Sequence, residues 1–80
     1  MTIYVAFLRG INVGGKNPLP MIELVAVLED LGSQNVYTYI QSGNAVFKNR
    51  DKDASRLSKM ISDEIKKRRG FEPQALLLKL

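Results

Sequence analysis

Hydrophobic positions change their spacing repeatedly along this chain, and each change marks an element. From Thr2 to Leu8, β-branched and aromatic residues alternate, with Ile3, Val5 and Phe7 on one side and Tyr4, Ala6 and Leu8 on the other. Apolar residues on both sides predict a central strand. After Pro20 the period lengthens: Met21, Leu24, Val25, Val27, Leu28 and Leu31 recur at helical spacing, and Gly32 supplies the stop. Pro20 fits the first helical position, where a missing N–H costs nothing. The apolar stripe reads as core.

Alternation returns at Val36–Ile40, breaks at Gln41-Ser42-Gly43-Asn44, and resumes at Ala45–Lys48. That is the pattern of a β-hairpin, with Gly43 free to take positive φ. Asp51 or Asp53 then caps a second helix, which places Leu57, Met60, Ile61 and Ile65 on one face and ends at Gly70. Pro73 bars its continuation. Ala75–Leu80 reads as a last strand, unusually apolar for an edge.

The order β-α-β-β-α-β predicts an α+β, ferredoxin-like sandwich, with one four-stranded antiparallel sheet and both helices on one face. That topology has a consequence for function. It brings the end of the first strand, the hairpin turn and the end of the second helix to one edge of the sheet. Arg9–Lys16, Gln41–Asn44 and Lys66–Arg69 are therefore expected to form one polar, basic rim.

The stretch Arg9-Gly10-Ile11-Asn12-Val13-Gly14-Gly15-Lys16-Asn17 is the most site-like in the chain. Glycines between a strand and a helix let backbone N–H groups approach a ligand closely. Gly10 to Lys16 fits the first positions of a phosphate-binding P-loop, but Asn17 stands where Ser or Thr would hold magnesium. Pro18 and Pro20 also prevent the loop from running straight into its helix. A nucleoside triphosphatase is excluded, whereas a looser anion site is not. The dinucleotide fingerprint G-x-G-x-x-G is absent.

Composition narrows the chemistry further. Eighty residues allow one small domain, or part of a larger protein. There is no cysteine and no histidine, so thiolate sites, a Cys nucleophile and the usual imidazole base are missing. Ser42 has no base near it in sequence, and as a turn serine beside glycine it needs none. Asn44 can likewise bond its own turn. Glu29-Asp30 and Asp63-Glu64 are neighbours along helices and do not face a common point. No catalytic constellation, metal site or cofactor motif is visible, and the enzyme question stays open. No apolar run approaches a membrane span and the N-terminus lacks a signal-peptide pattern, so the expected location is the cytoplasm. Net charge is +4, with nine of the twelve cations between Lys48 and Arg69. Such a bias fits anionic partners, and equally a solvated helix end whose cations complement the helix dipole.

Leu8-Arg9-Gly10-Ile11-Asn12-Val13-Gly14-Gly15 and Tyr39-Ile40-Gln41-Ser42-Gly43-Asn44, continuing through Pro20-Met21, Leu24 and Val46-Phe47, closely resemble the DUF1697 family of proteins of unknown function. The resemblance implies a soluble bacterial protein built from ferredoxin-like subdomains, with no established activity, cofactor or substrate. Members of the family are about twice as long, near the size of a common single domain. It thus implies that residues 1–80 form one ferredoxin-like subdomain, the N-terminal half of a two-lobed protein.

Three functional expectations follow. The first is a module binding a phosphate-bearing or nucleotide-like ligand at the rim, through Arg9, Gly10, Asn12, Gly14, Gly15, Lys16, Gln41, Ser42, Gly43 and Asn44. The second is RNA binding, with bases stacked on Tyr37 and Tyr39, joined by Tyr4, on the open sheet face. The octapeptide of RNA-recognition motifs is missing at Asn44-Ala45-Val46-Phe47-Lys48. The third is a structural half that packs on a C-terminal half or self-associates through its apolar sheet face.

Overall fold

In the sheet, strand β1 (Thr2–Arg9) lies between β3 (Asn44–Asn49) and β4 (Gln74–Lys79), and β2 (Gln34–Tyr39) pairs with the far side of β3. All three pairings are antiparallel. Helix α1 (Met21–Asp30) joins β1 to β2, and α2 (Ala54–Arg69) joins β3 to β4. The computed structural model describes residues 1–39 and 43–80. This is the ferredoxin-like sandwich that the element order predicts.

Both helices cover the sheet face carrying Tyr4, Ala6, Leu8, Ala45, Phe47 and Leu77, and these pack with Leu24, Val27 and Leu28 of α1 and Leu57, Ile61 and Ile65 of α2. The Tyr4 and Phe47 rings stack 5.7 Å apart at the centre of this layer. Met60 is exposed, contrary to its assignment to the core face of α2. It lies off the line Leu57–Ile61–Ile65, whose i, i+4 spacing points at the sheet while Met60 turns toward solvent.

Element ends also shift for identifiable reasons. Pro20 is the residue before α1, not its first residue: its ψ of 140° is extended, and its carbonyl opens the helix by accepting from Glu23 and Leu24 N–H groups. β2 begins at Gln34, earlier than Val36. Asn35 takes φ +54° at a register shift between Gln34 and Tyr37, so a bulge carries the strand past residues whose polarity disguised it. Asp53, not Asp51, caps α2, accepting from the Arg56 N–H at 3.1 Å. Gly70 ends α2 in the left-handed conformation.

Buried polar groups hold the end of the sheet remote from the Gly-rich loop. Asn49 donates to the Leu31 carbonyl and the Ser33 hydroxyl and accepts from Asp51 N–H, tying the end of α1 to β3 and the approach to α2. The Tyr4 hydroxyl donates to the Asp51 carbonyl. Burial, with the Asp51 and Asp53 carboxylates nearby, pushes the Tyr4 phenol above its ordinary pKa.

Candidate functional site

The segment after β1 is a closed structure of its own. Val13 and Lys16 exchange backbone hydrogen bonds of 3.2 and 2.8 Å across Gly14 and Gly15, whose φ values are +55° and +76°. Two consecutive positive-φ residues make the tight turn of a miniature hairpin, a geometry for which glycine carries no steric penalty. One step back, Asn12 N–H donates to the Asn17 carbonyl, and Asn17 Nδ2 donates to the Gly10 carbonyl at 2.9 Å. Asn12 and Asn17 themselves take positive φ, which asparagine tolerates better than most residues. The Asn12 amide then clamps the Leu19 backbone on both sides, and the Leu19 side chain is fully buried.

These bonds assign roles that the sequence leaves ambiguous. Asn12, expected at a ligand, has both amide atoms engaged with Leu19. Gly14 and Gly15 are required by the turn, although their N–H groups find no backbone acceptor among the described residues. Lys16 stands exposed at the tip of this projection, and Arg9 is exposed at its base. Leu19 is a core residue without a sequence signal, since its position between Pro18 and Pro20 belongs to no periodic pattern.

The expected convergence of segments is present for the described residues. Leu8 N–H donates to the Gly43 carbonyl at 3.0 Å, bringing the hairpin turn against the end of β1. Gly43 has φ +62°, and a Cβ there would lie 3.1 Å from the Leu8 carbonyl oxygen. The C-terminus of α2 meets the same loop from the helical side, where Arg69 Nε donates to the Pro18 carbonyl at 3.2 Å. Gln41 and Ser42 lie outside the described residues.

Most of the basic residues at the α2 end are paired with carboxylates of the same chain. Arg68 binds Asp30 and Glu64, which draw its pKa further upward; Arg69 binds Glu23, and Lys66 binds Glu72. Of the run, only Lys67 has no carboxylate partner among the described residues. Arg9 and Lys16 also form no ion pair among the described residues. Their charge is available where that of Arg68 and Arg69 is not.

On the sheet face away from the helices, strand register aligns side chains in rows. Tyr37, Val46, Val5 and Leu78 lie opposite one another across all four strands, and the next row is Tyr39, Asn44, Phe7 and Leu76. Arg9 and Gln74 form a third pair at the rim end. Tyr37 and Tyr39 are 62% and 55% exposed. Tyr4 does not join them: it is buried on the opposite face, because side chains alternate along β1. The Asn44 Oδ1 atom is buried without a hydrogen-bond partner among the described residues. Among those residues no cluster of three or more acidic, Cys or His side chains is placed to hold a metal ion, and no helix is long and apolar enough to cross a membrane.

The model of a family described as "Protein of unknown function (DUF1697)" matches residues 1–80, the full chain. The chain belongs to the DUF1697 family. A solved structure of a conserved bacterial protein from Streptococcus pneumoniae is similar to it, at 37% sequence identity and a TM-score of 0.80. That similarity covers 98% of this chain and 43% of the other, so these residues span less than half of the solved relative. Comparison with curated proteins finds no match. DUF1697 membership accounts for the two long motifs and carries the fold, but it assigns no reaction.

Proposed function

We propose that this DUF1697 chain is a binding module for an anionic, phosphate-bearing ligand at the rim around Arg9. One observation carries the reading. Arg9 is exposed and without a carboxylate partner among the described residues, whereas the arginines at the end of α2 are engaged by Glu23, Asp30 and Glu64. A planar guanidinium offers paired donors to a phosphate or carboxylate. Lys16 and the Gly14 and Gly15 N–H groups extend the anion-attracting surface along the loop. The hairpin turn at Gly43 and Asn44 borders it, and Gln41 and Ser42 belong to the same proposal. Thermal-shift measurements against nucleotides and phosphorylated metabolites test it, since a ligand bound only by the folded state raises the melting temperature.

A second reading rests on a different observation. Ile3, Phe7, Tyr37, Tyr39, Leu76 and Leu78 are exposed on one sheet face. An apolar surface gathered on one side, unlike scattered exposed residues, is the mark of an interface. In this reading the chain is one lobe of a longer protein and the face packs on further polypeptide or on a second copy. Sedimentation analysis distinguishes the cases: concentration-dependent association supports the second, and a monomer at all concentrations removes self-association.

A further inference from the structure

Beside the rim, the open sheet face offers a surface for more of a ligand than its anionic group. A groove of about 730 Å³ runs along β1 and β4, lined by Phe7, Arg9, Gln74, Ala75, Leu76 and Leu78. Its volume falls within the range of about 300–1,000 Å³ usual for small-molecule sites. The groove is asymmetric along its length. Phe7 opposes Leu76, and Leu78 follows on β4, giving an apolar floor, while Arg9 opposes Gln74 at the rim end. Lys79, the nearest other cation on β4, pairs with Tyr4 and so lies on the helical side. The polar end therefore holds one cation and one amide, and the remainder is apolar.

Resting on the reading of Arg9 as an anion anchor, we infer that the ligand is amphipathic: a small molecule with an apolar body and a single carboxylate or phosphate. The head group meets the Arg9 guanidinium with Gln74 beside it, and the body lies along Phe7, Leu76 and Leu78. Charge complementarity decides this occupant over a neutral apolar one, which would leave Arg9 beside an uncharged surface. A compact, multiply charged anion makes no use of the apolar floor and is expected to bind at Arg9 more weakly than an amphipathic one. Burying that floor under an apolar chain supplies the hydrophobic contribution that inorganic phosphate lacks.

The test is a calorimetric titration of the chain with decyl phosphate, decanoate, decyl glucoside and inorganic phosphate, all below micelle-forming concentrations. Decyl phosphate and decanoate are expected to bind about tenfold or more tightly than either inorganic phosphate or decyl glucoside. Leu78→Gln and Leu76→Gln remove that advantage and leave inorganic phosphate unaffected, while Arg9→Gln weakens every anion. Both leucines are exposed, so circular dichroism is expected to show the variants folded. Phosphate binding with no gain from the decyl chain overturns this inference and leaves the rim reading in place. Decyl glucoside equal to decanoate, or amphiphile binding indifferent to Arg9→Gln, overturns the amphipathic-anion assignment. Absence of binding by every probe overturns both.

Discussion

Asn12 holds Leu19 through both atoms of its amide: Nδ2 donates to the Leu19 carbonyl at 3.0 Å, and Oδ1 accepts from the Leu19 N–H at 2.7 Å. A side chain here does what a neighbouring strand would do, satisfying a backbone that Pro18 and Pro20 keep out of helix and sheet alike. The clamp sets Leu19 into the core, and the loop that looked like a ligand cradle is first a structural plug.

Asn12→Ala is accordingly expected to destabilise the fold, by about 1–3 kcal/mol, because it strands both Leu19 backbone groups. Asn12→Asp keeps the acceptor and loses the donor, and should fall between wild type and alanine. Urea denaturation measures both. An Asn12→Ala variant as stable as wild type would contradict the clamp.

Gly43→Ala tests the turn that brings β1 and the hairpin together. The left-handed φ of +62° costs an alanine about 1–2 kcal/mol, and its Cβ would also press on the Leu8 carbonyl oxygen at 3.1 Å. Gly14→Ala is the matched control, with φ +55° and nothing within 4 Å of the added carbon. Thermal unfolding should show the larger loss at Gly43. Equal losses would mean that the close approach to Leu8 carries no weight.

Acid stability depends on Asp51. The Arg56 guanidinium, bonded to its carboxylate at 2.8 and 3.0 Å, and the Asp53 N–H hold Asp51 below the usual carboxylate range. A carboxyl whose pKa is lower folded than unfolded contributes its stabilisation above the unfolded value, about 3.9, and loses it as pH falls through the folded one. Asp51→Asn should therefore lower stability at neutral pH and flatten its decline in acid. Urea midpoints between about pH 7 and about pH 3 check this, and an unchanged acid limb would contradict it.

Much of the fold was legible because local chemistry and global packing agree. The alternation in β1, the Leu24–Val27–Leu28 stripe and the glycines at positions 32, 43 and 70 all point to the elements observed. The start of β2 was hidden, since Gln34 and Asn35 lack the apolar alternation and the bulge at Asn35 breaks the period. The site was less legible. Topology foretold that the Gly-rich loop, the Gly43 turn and the end of α2 would meet, but ion pairing is a three-dimensional fact. Nothing in the run Lys66–Arg69 reveals that Arg68 reaches Asp30 or that Arg69 reaches Glu23. Those contacts engage both arginines of the most basic stretch, whereas Arg9 at the end of β1 has no carboxylate partner among the described residues.

A calorimetric titration with pyrophosphate, run on the wild-type chain, Arg9→Gln and Lys67→Gln, tests this account most directly. The two substitutions change the net charge equally, one at the proposed anchor and one on α2. Saturable binding is predicted for wild type, weakened about tenfold by Arg9→Gln (about 1.4 kcal/mol) and by less than about twofold by Lys67→Gln. No binding, or equal weakening by both variants, would contradict an anion site built around Arg9.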